Sequence, residues 1–353
     1  MSDDASNGAI SVVTRTLHFK GKGVAILRSH GSAKNPSSSF IHLSFTFPLK
    51  LISPRTSSRD ANLRIARQGK SRVDVKSVAA LYIVGYGGGL VSGDQVSIDF
   101  DVGQHCTLLL LTQGSTKVFK IRGAKGFEHS QIAITSQTFR CIVQKQATLV
   151  VLPDPVTCFA DSQYHQRQQF DLRCSQTSTL ILLDWFTPGR QHLTSKAGVS
   201  AQNEIWAFET YQSRNEIRLG NQVIARDISS LERNSSNSIA EKCKIFTCFA
   251  TLFLIGVDVL ETIRQIKLDF YQIQQGNKQQ SNSRVVSMAD SLIWSCSPLG
   301  TGYDDELESD DHVGIVVRVA GISTEIVRIW LREKLLSIKQ LVGDDLYRQA
   351  MGS

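Results

Sequence analysis

The sequence lacks the short motifs that usually mark metal cages and hydrolytic centres. Its seven cysteines (Cys106, Cys141, Cys158, Cys174, Cys243, Cys248 and Cys296) include no Cys-x-x-Cys pair. That excludes a zinc site built on paired ligands, and the odd number argues against a disulfide framework. They read as buried free thiols of a reducing compartment. The eight histidines are dispersed, with no His-x-His and no His-Glu-x-x-His, so no tight transition-metal cage is expected. A Gly-x-Ser-x-Gly elbow is missing, and with it the strand-turn-helix setting of an exposed nucleophilic serine. The greasiest stretch, residues 245–257, is interrupted by Thr247, Thr251 and Gly256 and is too short to cross a bilayer. The opening MSDDASNGAI carries two acids and no apolar run, unlike a secretory signal. The expectation is a soluble, cytoplasmic protein with no membrane partner.

Charge is present in mild excess. The net charge is +7 with only 20% charged residues, so acidic macromolecular partners are weakly implied at most. The excess is concentrated between residues 50 and 76, where Lys50, Arg55, Arg59, Arg64, Arg67, Lys70, Arg72 and Lys76 face only Asp60 and Asp74. A nucleic-acid site would interleave aromatic residues for stacking, and this segment has none. Residues 54–76 are therefore expected to form an exposed basic loop, and no nucleic-acid partner is expected.

What the sequence has in abundance is short β-type segments. ISVVTRTLHF, GVAILRSH and FIHLSFTFPLKLIS are rich in β-branched and aromatic residues and broken by Gly, Lys, Pro and Ser. Residues 78–86 form another apolar strand. In residues 95–102, Val96, Ile98, Phe100 and Val102 alternate with Ser97, Asp99 and Asp101, the period of a strand with one wet face. Residues 106–112 (CTLLLLT) read as a strand buried on both sides. Further strands are expected within 130–152, 163–173, 179–186 (TLILLDWF), 206–219, 222–228, 245–256 and 312–320, with Pro153 and Pro155 stopping pairing between two of them. Residues 285–296 are apolar enough to pack. Helical spacing occurs at 258–275, with Asp258 as cap, and at 323–341, with Ser323 or Thr324 as cap and Val327, Leu331, Leu335 and Ile338 on one face. No internal repeat is evident. The organisation expected is mostly β: a flexible N-terminus over residues 1–22, then one large domain over 23–350, helix-bearing from about 240.

The glycine-dense turn at 85–94 invites a phosphate-cradle reading, and with it an anion- or nucleotide-binding enzyme. A Walker loop needs Lys-Ser/Thr after its last glycine, whereas Gly93 is followed by Asp94-Gln95. A dinucleotide fingerprint needs a helix next, and a strand pattern follows here. The bland alternative is a tight turn with positive-φ glycines between two strands. Downstream, Thr112-Gln113-Gly114-Ser115-Thr116-Lys117 offers hydroxyls, an amide and an ammonium at a strand end, but no sequence-adjacent base that would activate a nucleophile. No catalytic residue is assigned.

Asp184 stands apart, because an ionised carboxylate inside TLILLDWF is costly unless paired, hydrogen-bonded or metal-bound. One reading is a salt bridge to Arg190 or another arginine. The other is a carboxylate lining an internal polar passage, of a kind that suits Ni²⁺ along with water and imidazole ligands.

These segments together resemble one family. GGGLVSGD followed by TQGSTKVFK is similar to the signature pair of the urease accessory protein UreD (UreH) family. VLPDPVTCFADSQYHQRQQFDL, LLDWFTPGR, ARDISSLE and RVAGISTEIVRIWLREKL resemble its later motifs in the same order, over about residues 23–350, with phrasing most like fungal members. Two departures are Ser92-Gly93-Asp94 for the usual Gly-Gly-Asp, and Asn203 for glycine before Glu204. The resemblance implies a mostly β fold of wound strands, β-helix-like in its layers, with two helices in the C-terminal third. It implies a non-enzymatic maturation factor with no tightly bound cofactor. Such a factor binds apo-urease, recruits a UreF-like protein and a UreG-like GTPase, and conducts Ni²⁺ through an internal passage. On the matched motifs, Asp184, Asp94, Asp154 and Glu204 are the candidate transient nickel contacts. Gly87, Gly88, Gly89, Gly93, Asp94, Gln113, Thr116, Lys117 and Arg190 are the candidate partner-binding or passage-shaping residues.

Overall fold

The computed structural model describes residues 19–32, 35–54, 62–65, 74–91, 93–120, 134–189, 204–234, 238–243, 245–279, 291–299 and 314–352. The expected strand before residue 19, Arg190 and Asn203 lie outside them. Residues 20–22, expected to be flexible, belong to the first strand.

Two sheets carry the fold. The seven-stranded sheet contains, in spatial order, β16 (Gln222–Glu232), β15 (Thr210–Leu219), β13 (Gln163–Leu172), β10 (Thr135–Val143), β7 (Gln95–Val102), β1 (Lys20–Ser32) and β2 (Asn35–Phe45). The second sheet runs β18 (Leu292–Leu299), β19 (Gly314–Gly321), β17 (Cys248–Ile255), β14 (Thr179–Thr187), β11 (Thr148–Val151), β8 (Cys106–Thr112), β5 (Asp74–Gly85) and β3 (Leu49–Ile52). Attached to it are β4 (Asn62–Ile65), β6 (Gly89–Leu90), β9 (Thr116–Val118) and β12 (Val156–Cys158). From β7 to β15 the chain alternates between the sheets and adds one strand to each per turn. Like therefore pairs with like in parallel: β7, β10, β13 and β15 in one sheet, β5, β8, β11 and β14 in the other. Antiparallel strands close the ends. The wound-strand expectation holds.

The coil contains a repeat that the sequence conceals. Thr107-Leu108, Thr148-Leu149 and Thr179-Leu180 are register partners at the start of β8, β11 and β14. Unequal connections between turns hide the period from a fixed-interval scan, which is why no repeat was expected.

Burial explains the two hydropathy textures. The second sheet is covered on both faces, by the first sheet and by the helices. Val78, Leu109, Val150, Ile181 and Leu183 pack against Ile263, Val327 and Leu331 there, so its strands read as unbroken apolar runs. The first sheet has one open face, so its strands alternate.

The helices are α1 (Ile239–Cys243), α2 (Leu260–Gln279), α3 (Thr324–Lys334), α4 (Lys339–Val342) and α5 (Asp344–Met351). Two are long, as expected, but the helix predicted over 323–341 ends at Lys334. The chain then tightens into a 3₁₀ turn at Leu336–Ile338, which keeps Leu335, Ile338 and Leu341 all buried in the same core. Ser323 caps α3 as predicted, its Oγ accepting the Ile326 N–H at 3.3 Å.

Lys76 corrects the basic-loop expectation. Residues 62–65 and 74–77 pair as β4 and β5, and Lys76 points inward with a side chain that is 0% exposed. Its Nζ lies 2.5 Å from Asp258 Oδ2, and both groups bond the Thr148 hydroxyl at 2.8 Å. Asp258, predicted as a helix cap, is instead a buried counter-ion joining the strand coil to the segment that leads into α2.

A second ionic centre lies on the open face of β15. Glu216 is covered by Arg214, Arg218 and Arg226 at 2.7–3.2 Å. The Arg218 hydrogen bonds, supported by Arg214 and Arg226, hold its carboxyl at about 2 against an ordinary 4.5.

Lys76→Met should cost about 3–5 kcal/mol in urea denaturation by leaving Asp258 buried beside an apolar side chain, and Lys76→Met/Asp258→Leu should recover most of it. For Glu216, the depressed pKa contributes stability above the ordinary carboxylate range that is lost as pH falls toward about 2. Glu216→Gln should therefore be less stable than wild type at neutral pH and indistinguishable from it near pH 2, as read from melting temperature across a pH series.

A candidate polar passage between the sheets

Because strands stack in register, inward polar residues on successive strands fall into rows. Gln137 (β10), Gln166 (β13), Ser213 (β15) and Ser229 (β16) are successive partners, as are Gln168, Asn215 and Asp227. All of these face the second sheet from positions that an apolar core would fill. From the opposite side Asp184 on β14 enters this polar seam, next to Pro153, which ends the β11 segment and accepts the Trp185 indole N–H at 2.7 Å.

The Asp184 carboxylate is 8% exposed and meets three neutral donors. Gln166 Nε2 donates to Oδ1 at 3.0 Å, while Ser213 Oγ and Asn215 Nδ2 donate to Oδ2, each at 2.6 Å. The donors are themselves held: Tyr164 Oη donates to Gln166 Oε1, and Gln168 Nε2 to Asn215 Oδ1, both at 3.0 Å. Among the described residues the donors to Asp184 are amides and a hydroxyl rather than an arginine, and Arg190, considered from sequence, lies outside them. Burial pushes the Asp184 pKa up, with the Ser213 and Asn215 hydrogen bonds opposing it and the charge of Asp227 adding to it.

Three cavities meet along this seam. One of about 370 Å³ lies under the glycine turn, between Pro48, Gly88, Gly89, Gln113 and Thr116. It shares Ile83, Thr112, Thr116 and Gln137 with a constriction of about 20 Å³, room for one water-sized occupant, which Gln166, Gln168, Asp154 and Asp184 also line. Asp184 is in turn part of the wall of the third, of about 460 Å³, with Tyr211, Ser229, Thr251 and Arg318.

The structure thus brings Gly88, Gly89, Gln113, Thr116, Asp154 and Asp184 onto connected walls. Gly89 is required there by close approach, since a Cβ would sit 2.3 Å from the Lys117 carbonyl oxygen. Gly87 has φ +80° and faces open space, so the turn geometry read from sequence is present. Phe47 and Tyr86, both exposed, pack beside it at a tilt, with ring centroids 5.3 Å apart. Lys117 is exposed on β9.

Asp154 bonds Arg328 of α3 at 2.7 Å, and Arg328 also lies over the Trp185 ring. Asp94 is not on these walls. Its two oxygens accept the backbone N–H groups of Phe19 (3.3 Å) and Val91 (3.0 Å), and Gly93 N donates to Thr135, so this pair fixes the base of the turn. Glu204 packs its backbone against Gly189. After Asp94 the chain enters β7, not a helix, so the phosphate-cradle alternative has no helix N-terminus to work with.

Sequence reasoning missed Gln137, Gln166, Gln168, Ser213 and Asn215. The available signal was phase: in β13 the inward positions run Tyr164, Gln166, Gln168, Phe170, with amides where the alternation calls for apolar residues.

All seven cysteines are free. Burial raises Cys158 and Cys248 to about 12 and Cys106, Cys243 and Cys296 to about 11. Cys243, on the 460 Å³ cavity, therefore presents a thiol rather than a thiolate at neutral pH. Among the described residues no three His, Cys, Asp or Glu side chains converge on one point that could hold a metal ion, and no helix is long and apolar enough to cross a membrane.

The model of the UreD urease accessory protein family matches residues 24–349, a span that includes the turn, the seam and all three cavities. The chain is 34% identical to urease accessory protein D of Arabidopsis thaliana over 281 residues, covering 76% of this chain and 86% of that protein. Over 341 residues it is 30% identical to urease accessory protein 4 of Cryptococcus neoformans var. grubii, covering 91% and 93%. A urease accessory protein ureD-like sequence of Schizosaccharomyces pombe is 34% identical over 258 residues, covering 70% and 76%.

Asp184→Leu removes the acceptor of three buried donors and should destabilise the fold by at least about 3 kcal/mol in urea denaturation. Asp184→Asn keeps one acceptor oxygen for Ser213 and Asn215, and a flip of the Gln166 side-chain amide lets its Oε1 accept from the new amide nitrogen while the Tyr164 hydroxyl turns to accept from its Nε2. Its cost should be under about 1.5 kcal/mol.

Proposed function

This chain belongs to the UreD family of urease accessory proteins, non-enzymatic factors of urease maturation, and from that membership we propose that it passes Ni²⁺ to apo-urease along the polar seam. The observation that carries the reading is the continuity of the three cavities through shared walls, with Asp184 the buried carboxylate common to the constriction and the largest of them. Ni²⁺ is cargo here, so binding must be favourable enough to admit the ion and weak enough to release it. A wall of amides and hydroxyls with two carboxylates, Asp184 and the arginine-bound Asp154, meets both needs, whereas a thiolate or imidazole cage would retain the metal. The protonated Cys243 thiol is compatible with that requirement.

The partners follow from the family resemblance: apo-urease, a UreF-like protein and a UreG-like GTPase. The end of the seam under the glycine turn is the proposed docking end. Gly87 and Gly88 leave the backbone open to a partner, Phe47 and Tyr86 offer aromatic anchors, and Gln113 and Lys117 offer a polar rim. Asp94 and Gly93 serve this end by holding the turn in shape.

The test is activation of apo-urease by the assembled accessory proteins with Ni²⁺ supplied. Asp184→Asn should assemble with apo-urease as wild type does on size exclusion, yet lower the rate of activation about tenfold, since the seam loses its only carboxylate at the constriction apart from the arginine-bound Asp154. Wild-type activation by that variant within an intact complex would remove Asp184 and the seam from the transfer route.

A further inference from the structure

The wide end of the seam contains a cation of its own. The antiparallel registers of β14, β17, β19 and β18 set Asp184, Thr251, Arg318 and Ser295 side by side in one row across the second sheet. Arg318 lines the 460 Å³ cavity with a side chain that is 53% exposed. Its Nη2 reaches across to β16, the edge strand of the other sheet, and donates to Asp227 Oδ1 at 2.7 Å. The Asp227 side chain is only 11% exposed. Asp227 is also the register partner of Asn215, whose amide donates to Asp184. Asn215 therefore neighbours both carboxylates, bonding Asp184 through its amide and pairing in register with Asp227, which a half-exposed guanidinium caps. The two acids are close enough for Asp227 to contribute to the raised pKa of Asp184.

We propose that the Arg318–Asp227 ion pair is a latch on the wide end of the passage, in which the guanidinium holds the place of a divalent cation at Asp227 and yields it when the ion arrives. The proposal rests on the passage reading above. A guanidinium and a divalent cation compete for the same carboxylate oxygens, and the fixed positive charge lowers the affinity of the neighbouring Asp184 for any cation. With the latch closed, Ni²⁺ is held weakly. With Arg318 swung toward solvent, which its half-exposed stem permits, Asp184 and Asp227 can share the ion through one amide-bridged site. The pair would then set how long an ion dwells before transfer.

A plain strut between the sheets would behave differently, because losing it would change stability and leave Ni²⁺ affinity alone. The experiment titrates Ni²⁺ alone into the full-length protein, with a competing metallochromic indicator as readout, for wild type, Arg318→Met, Arg318→Lys and Arg318→Met/Asp227→Asn. Arg318→Met should bind Ni²⁺ about tenfold tighter than wild type, Arg318→Lys should match wild type, and the double variant should lose the gain. Unchanged or weaker affinity in a natively folded Arg318→Met, judged by near-ultraviolet circular dichroism, overturns the latch, as does a double variant that keeps the gain. Arg318→Gln, uncharged but polar, carries the same outcomes should the methionine disturb the fold. The passage reading fails separately, through normal activation by Asp184→Asn. Tighter Ni²⁺ binding by Arg318→Met together with that result would uphold the latch and remove its role in transfer.

Discussion

A carboxylate placed between two β-sheets must find donors or stay protonated, and Asp184 imposes that condition on everything around it. Its donors come from three positions on two neighbouring strands, Gln166, Ser213 and Asn215, and these are held in turn by Tyr164 on Gln166, Gln166 on Ser213 and Gln168 on Asn215. One buried acid thereby recruits a polar network through a core that is otherwise mostly Leu, Val, Ile and Phe. Two of the cavities lie along that network, with Asp184 on the wall of both. The chemistry attributed to the seam is a consequence of satisfying that group.

The coil makes such a network cheap to build. In a wound fold with unshifted parallel register, a residue type repeated at one position of each turn becomes a continuous row, so a path across the molecule needs only one or two polar residues per strand. The same register stacks Thr107, Thr148 and Thr179 at the opposite end of the second sheet, where Thr148 completes the buried Lys76–Asp258 pair. Antiparallel strands at the edge then carry the Asp184 row out to Arg318. The resulting passage carries one ion pair at its constriction, Asp154–Arg328, and another at its wide cavity, Asp227–Arg318, with the amide-held Asp184 between them.

Much of the fold was legible in the residues. Alternation in 95–102 and continuous hydrophobicity in 106–112 report one wet face and two dry ones, because side-chain direction in a strand alternates whatever the strand pairs with. The Ser323 cap of α3 was legible for the same local reason. Lys76 and Asp258 were not. Each looks like a surface residue in its own segment, and 182 positions separate them, so their pairing depends on long-range docking. The site was half legible. Asp184 stood out because an acid in an apolar run is anomalous on its own, whereas Gln166 and Gln168 sit in a strand where polar residues are ordinary on the outward face and only the phase shows them to be inward.

The sequence by itself determined the family, the strand-rich class, the glycine turn and the presence of a buried acid, since each is set by residue order, local sterics or the cost of burying charge. Tertiary structure decided which strands stack, and therefore which polar residues share a row. It gave Asp184 three neutral donors, placed Asp94 as the clasp of a turn, and set Arg318 on Asp227 across the gap between sheets. Strand register governs these outcomes, and register follows from the packing of the whole coil rather than from any single segment.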